Sequence, residues 1–218
     1  SNETFSLNLS GVSNATPTSL SGTGTIQDDD QQLTTTTITS DTPDPSVVGQ
    51  PYTVAVSVAA DSSPPSGTVT VSDGSSSCGP VTLTASTAAS STASCSLAST
   101  TAGAKTLTAS YSPASAAFAA SSGTGAHQVN AAGTRISVSG PLRSRINQPV
   151  SFTFALGVEA PGAGSPAGTV TLSSGAATCS VTVPTVTPSC SLSFNALGSR
   201  TITAAFAPSN GNFSAASS

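Results

Sequence analysis

Methionine and tryptophan are absent from the 218 residues, and there is a single histidine. Only 6% of the residues carry a charge, where a soluble domain usually has about 25%. The five basic residues, Lys105, Arg135, Arg143, Arg145 and Arg200, are too few to neutralise a row of phosphates or to dock on an anionic membrane. Nucleic acid and lipid surfaces are therefore not expected as partners. No run of 18 apolar residues occurs, so no membrane insertion is expected in this segment. The opening SNETF has neither the basic nor the apolar region of a signal peptide. The chain thus reads as a mature piece of something longer or as a processed subunit.

Catalytic constellations are equally thin. His127 would have to serve alone in any Ser-His-Asp or Cys-His arrangement, and no G-x-S-x-G elbow accompanies it. It lies in AHQVN, where a solvent-facing strand residue is expected. The nine carboxylates, Glu3, Asp28, Asp29, Asp30, Asp41, Asp44, Asp61, Asp73 and Glu159, fall mostly in turns, where Asp bonds the backbone. No convergent pair of the glycosidase kind stands out, and the protein is not expected to be an enzyme.

What the sequence has in quantity is Ser, Thr, Ala, Gly and Pro, with 36% apolar residues and a net charge of -4. Disordered chains combine low hydrophobicity with high net charge, so a folded, Thr/Val-rich β protein follows. An internal repeat gives its architecture. GTVTVSDG at Gly67–Gly74 returns as GTVTLSSG at Gly168–Gly175, and KTLTASYSP at Lys105–Pro113 returns as RTITAAFAP at Arg200–Pro208. Upstream, GQP (Gly49–Pro51) leads into Tyr52, Val54, Val56 and Val58, as NQP (Asn147–Pro149) leads into Phe152, Phe154, Leu156 and Val158. Alternation with period two marks half-buried strands. With Leu107, Tyr111 and Phe118 in one unit and Ile202, Phe206 and Phe213 in the other, these faces are expected to form two cores.

The units differ in length only in loops, by three residues around Gly162–Gly164 and by six between the paired cysteines. Each contains six or seven short strands separated by Gly, Pro, Ser and Asp, and none shows helical periodicity. The expected fold is all-β, two tandem immunoglobulin-like β-sandwiches preceded by a β-hairpin segment. The expected divisions are 1–33, a hairpin and acidic linker; 34–130, the first sandwich; and 131–218, the second. The second unit has no counterpart of GTGAHQVN and is expected to lack its last strand.

Four cysteines fall two per unit at matching positions, Cys78 with Cys95 and Cys179 with Cys190, and two intradomain disulfides are the natural pairing. Each is expected to tie a hairpin-like pair of strands and implies an oxidising compartment. No C-x-x-C spacing supports zinc at the cysteines. Four N-x-[ST] sequons, at Asn2, Asn8, Asn14 and Asn212, are what a chain this rich in Ser, Thr and Asn produces by chance.

The GTVTV strand after a Pro/Gly turn, the strands around the cysteines, and G-x-[KR]-T-[LI]-T-A-x-[YF] followed by Pro and a late Phe together resemble bacterial immunoglobulin-like domains. Such domains occur in tandem in large surface adhesins and secreted proteins. The resemblance covers residues 34–129 and 133–218. It implies an extracellular or cell-surface, non-catalytic segment that holds a binding tip away from the cell. Its partners would be neighbouring domains of one long chain or identical subunits, with a host or matrix ligand elsewhere. ETFSLNLSGVSN and GTGTIQDDD resemble the last two strands of Calx-beta domains. That resemblance makes Glu3, Asp28, Asp29 and Asp30 calcium ligands, with Asp41 or Asp44 adding to them if the units pack end to end; the alternative is an acidic linker. Two further functional expectations stand beside the stalk. One is a filament in which the N-terminal hairpin of one copy completes the last sandwich of the next. The other is weak adhesion through the sandwich-end loop Thr84–Ser94.

Overall fold

The computed structural model describes residues 2–11, 13–14, 16, 18–19, 21–27 and 30–218. Every regular element among them is a strand. A hairpin of β1 (Glu3–Asn8) and β2 (Ser21–Ile26) opens the chain, pairing Glu3 with Ile26. The first sandwich follows, with β3 (Thr34–Thr42), β4 (Ser46–Val47), β5 (Pro51–Ala60), β6 (Gly67–Ser72), β7 (Ser77–Thr82), β8 (Thr84–Ala85), β9 (Ser90–Ala98), β10 (Gly103–Pro113) and β11 (Ser121–Asn130). The second contains β12 (Thr134–Ser139), β13 (Val150–Val158), β14 (Gly168–Ser174), β15 (Ala177–Val183), β16 (Ser189–Leu192), β17 (Thr203–Pro208) and β18 (Ala216–Ser217).

In the first sandwich a sheet of order β4-β11-β10-β6-β7 faces one of order β3-β5-β9-β8. In the second, β15-β14-β17-β18 faces β12-β13-β16. Among these named strands pairing is antiparallel except between β4 and β11, which run parallel through Ser46–Val129 and Val47–Asn130; the isolated bridges Gln32–Phe118 and Ala132–Phe213 are also parallel. The protein is thus two tandem immunoglobulin-like β-sandwiches.

Sequence alternation becomes layer packing directly. In β5, Tyr52, Val54, Val56 and Val58 point inward and are buried, and they meet Val69, Val71, Leu107, Ala109 and Tyr111 from the other sheet. Phe152, Phe154, Val170, Leu172 and Phe206 do the same in the second unit, while Leu156, Val158 and Ile202 are only partly buried. The repeated glycine that begins GTVTV and GTVTL has a steric reason. A Cβ on Gly67 would sit 2.2 Å from the Ser112 carbonyl oxygen, and one on Gly168 would sit 2.2 Å from that of Ala207. Hydroxyls close the open edge between the sheets: Thr34 and Thr36 each lie 2.7 Å from the Ser121 hydroxyl.

Three expectations are corrected. The disulfides Cys78–Cys95 and Cys179–Cys190, with Cα atoms 6.0 and 6.1 Å apart, do not tie hairpins. Each joins an edge strand of one sheet to a strand of the other, β7 to β9 and β15 to β16. The segment Thr84–Ser94 is not a loop, because β8 pairs with β9 through Thr84–Thr92 and Ala85–Ser91. The last strand of the second sandwich is present in part. In β18, Ala216 pairs with Phe206 as Ser121 pairs with Tyr111 in the first unit.

The two sandwiches share packing. Val48 and Val129 of the first unit, 3% and 1% exposed, belong to the same apolar cluster as the second unit's core. Ala132, at the start of the second unit, is fully buried and pairs with that unit, its N–H donating to Asn212 O and its carbonyl accepting from Ser214 N–H, each at 2.9 Å. The Ala163 N–H donates to Val48 O at 3.1 Å, and the Ala102 N–H to Asn212 Oδ1 at 2.9 Å. Gly49, with φ +78°, lets the chains approach, since a Cβ there would lie 2.4 Å from Ala163 O. Ala163 lies within the three-residue insertion that distinguishes the second repeat from the first.

Candidate functional site

The most connected polar group lies at the end of the first sandwich that meets the second. His127, on β11, shares the inward face of Val129, and the same period of two that buries the valine buries the imidazole, leaving it 2% exposed. The expectation of a solvent-facing His127 is therefore wrong. Its Nδ1 lies 2.7 Å from Asp41 Oδ2 and 3.4 Å from Asp44 Oδ1, and its Nε2 lies 2.8 Å from Ser46 Oγ. A carboxylate can only accept, so Nδ1 carries the proton, and in the neutral ring Nε2 accepts from the serine hydroxyl. The Tyr52 ring stacks on the imidazole at 3.9 Å between centroids and 17° between planes.

From Tyr52 the network continues across the sandwich. The phenol is 3.1 Å from Ser99 Oγ, and Ser99 donates to Asp73 Oδ2. Asp73 Oδ1 accepts from the backbone N–H of Ser75 and Ser76 and from the Ser75 hydroxyl. Burial alone would raise the Asp73 pKa, but the hydrogen bonds from Ser99, Ser76 and Ser75 outweigh it and hold the carboxyl below its usual range. Burial pushes the Tyr52 and Tyr111 phenols up.

Ser46, His127 and Asp41 stand in the hydrogen-bonding order of nucleophile, base and orienting acid. Ser46 is fully buried, so no substrate reaches its hydroxyl, and the network joins strands instead of presenting a nucleophile. It links the β3–β4 connection to β11, and hence one sheet to the other.

Of the sequence-expected calcium set, only two members lie among the described residues. Glu3 and Asp30 are exposed, Glu3 at the start of β1, and Asp28 and Asp29 lie outside the described residues. Among the described residues, the group whose ligand atoms all lie within 4.8 Å is Asp41, Asp44 and His127. Asp41 or Asp44 is expected from the sequence only as an addition to the calcium set of the N-terminal hairpin; their grouping with His127 is not, although its place two residues before Val129 in an alternating strand carries the signal of its burial.

A second place combines charge with a concave surface. An open cavity of about 560 Å³ at the second sandwich gathers Arg143, Arg145 and Arg200 beside Phe152, Phe194 and Ile202. Arg200 lies 5.9 Å over the Phe194 ring. Three of the five basic residues of the chain thus converge, which spacing along the sequence does not reveal.

No curated protein sequence matches the chain. Among solved structures, the fibronectin(III)-like modules of Clostridium thermocellum CbhA align over 84% of this chain and 92% of theirs, at 11% identity and a TM-score of 0.31. Domains of titin align over 92% of this chain and 69% of theirs, at 12% identity and a TM-score of 0.28. Both likenesses are remote. The family comparison is more direct: residues 38–131, which span most of the first sandwich and all of the His127 network, match the family of bacterial Ig-like domains, group 3.

Proposed function

We propose that the chain is a stiff structural segment of an extracellular bacterial surface protein, holding what lies on either side of it at a fixed separation. The observation that carries this reading is the continuous core at the junction, where Val48 and Val129 of one sandwich pack into the core of the next. A flexible tether would leave a solvated stretch between the units, whereas Ala132 is buried and already hydrogen-bonded to Asn212 and Ser214 of the second sandwich, two residues after β11 ends at Asn130. The family match supports the bacterial assignment, and the two disulfides suit an oxidising compartment. The scarcity of charge suits a surface kept wet by hydroxyls.

Small-angle scattering of the intact chain tests this reading. One elongated monomeric particle is expected, and deletion of Gly162–Gly164, which restores the loop length of the first repeat and removes Ala163, is expected to broaden the distribution of shapes. A wild-type chain already as variable as the deletion would refute the stiff segment, and a mass growing with concentration would favour the filament instead.

The arginine cavity favours a second, adhesive reading, in which an acidic ligand of the host or matrix occupies it. Heparin fragments are a suitable probe. Binding that is lost in Arg143→Ala with Arg145→Ala would support adhesion, and no binding at low salt would remove it.

A further inference from the structure

We propose that Asp41, Asp44 and His127 form a binding site for a divalent transition-metal cation of the zinc class. The three side chains present one imidazole nitrogen and two carboxylates, all within 4.8 Å of one another. Zinc held by bonds of about 2.0–2.2 Å in tetrahedral geometry keeps its ligand atoms about 3.3–3.6 Å apart. The Nδ1–Asp44 separation of 3.4 Å already matches. The Nδ1–Asp41 separation of 2.7 Å is that of a hydrogen bond, and it opens by about 0.6–0.9 Å when the Nδ1 proton leaves and the metal takes its place.

The imidazole is held as a ligand needs to be. Tyr52 stacks on one face of the ring, and Ser46 Oγ lies 2.8 Å from Nε2, the position from which an outer partner fixes the tautomer of a metal-bound histidine. Charge points the same way. Two carboxylates face one imidazole, which carries at most a single positive charge. Their ion-pair partner among the described residues is His127 alone, with the backbone N–H of Gln128 donating to Asp44 at 2.9 Å.

Access comes from the carboxylate side, where the Asp41 and Asp44 side chains are 18% and 39% exposed while that of His127 is fully buried. A nitrogen donor among so few ligands suits zinc, cobalt or nickel and does not suit calcium, which takes six to eight oxygens. The duplicated unit supplies an internal comparison. Aligned on GQP and NQP, it has Ser139, Leu142 and Val150 where the first unit has Asp41, Asp44 and Tyr52. The second unit also forms no counterpart of β4 and has only the two-residue β18 where the first has β11, so the cluster belongs to the β4–β11 end of the first sandwich.

The test titrates zinc chloride into the chelator-treated, disulfide-intact chain by calorimetry, while nuclear magnetic resonance follows the imidazole of the one histidine. The expected result is one zinc per chain, coordination at Nδ1, and a raised melting temperature that millimolar calcium does not reproduce. Asp44→Asn, at a partly exposed position, is expected to weaken binding at least about tenfold. Absence of saturable one-to-one binding, imidazole signals that do not move, or unchanged affinity in Asp44→Asn would each overturn the proposal. Should Asp44→Asn fail to fold, the imidazole signals of the wild-type chain decide.

Discussion

Asp73 shows how a chain with so little charge uses one. It is 6% exposed, and it offsets its desolvation by accepting from two serine hydroxyls and two backbone amides. Its folded pKa is lowered, so its stabilising contribution is complete above the unfolded value of about 3.9 and is lost as pH falls through the lower folded value. Asp73→Asn is expected to cost about 1–3 kcal/mol at neutral pH and to flatten the acid limb of the stability curve. Urea melts of both proteins between pH 2 and 7 check this, and parallel curves would show that the carboxylate contributes no charge-dependent stability.

Between strands, the disulfides act at the level of the sheet pair. Because each joins opposite sheets, it holds an edge strand, β7 or β15, on the core through a closed loop of 17 or 11 residues. Replacing Cys78 and Cys95 together by serine is expected to cost about 3 kcal/mol and to lower the first unit's melting temperature by roughly 10 °C or more. Calorimetry is expected to show the loss in one of two transitions only, whereas a single transition that shifts as a whole would mean that the sandwiches unfold as one unit.

The same elements show what was legible in the sequence. Period-two alternation placed Val54, Val56 and Val58 in the core, and matched cysteine positions placed one bridge in each unit. Which strands a bridge joins depends on strand order across two sheets, and that order lies in long-range pairings such as β10 with β6 rather than in local pattern. The grouping of Asp41 with His127, 86 residues apart, and the convergence of Arg143 with Arg200 are hidden for the same reason. The burial of His127 is legible, since it shares a face with Val129, although polar chemistry alone points to solvent.

Over the whole molecule, the insertion at Gly162–Gly164 turns two similar sandwiches into one packed unit. A loop of the first repeat's length would not carry Ala163 to Val48. Charge is also divided along the chain: eight of nine carboxylates precede residue 131 and four of five basic residues follow it. The arginine cavity lies in the basic part and the proposed metal site in the acidic part. Gly49→Val meets both the positive φ and the Ala163 carbonyl. It is expected to loosen the junction while the strands of each sandwich keep their amide exchange protection, as hydrogen exchange would show; loss of protection throughout the first sandwich would make Gly49 a folding residue instead.

Residual dipolar couplings of the amides, measured in one alignment medium, test the central claim most directly, because they report the orientation of each sandwich independently. A stiff segment predicts one alignment tensor, with the same magnitude and axes for β3–β11 and β12–β18. Two tensors of clearly different magnitude would mean that the sandwiches reorient about Asn130–Gly133, and the shared core at Val48 and Val129 would then not hold in solution.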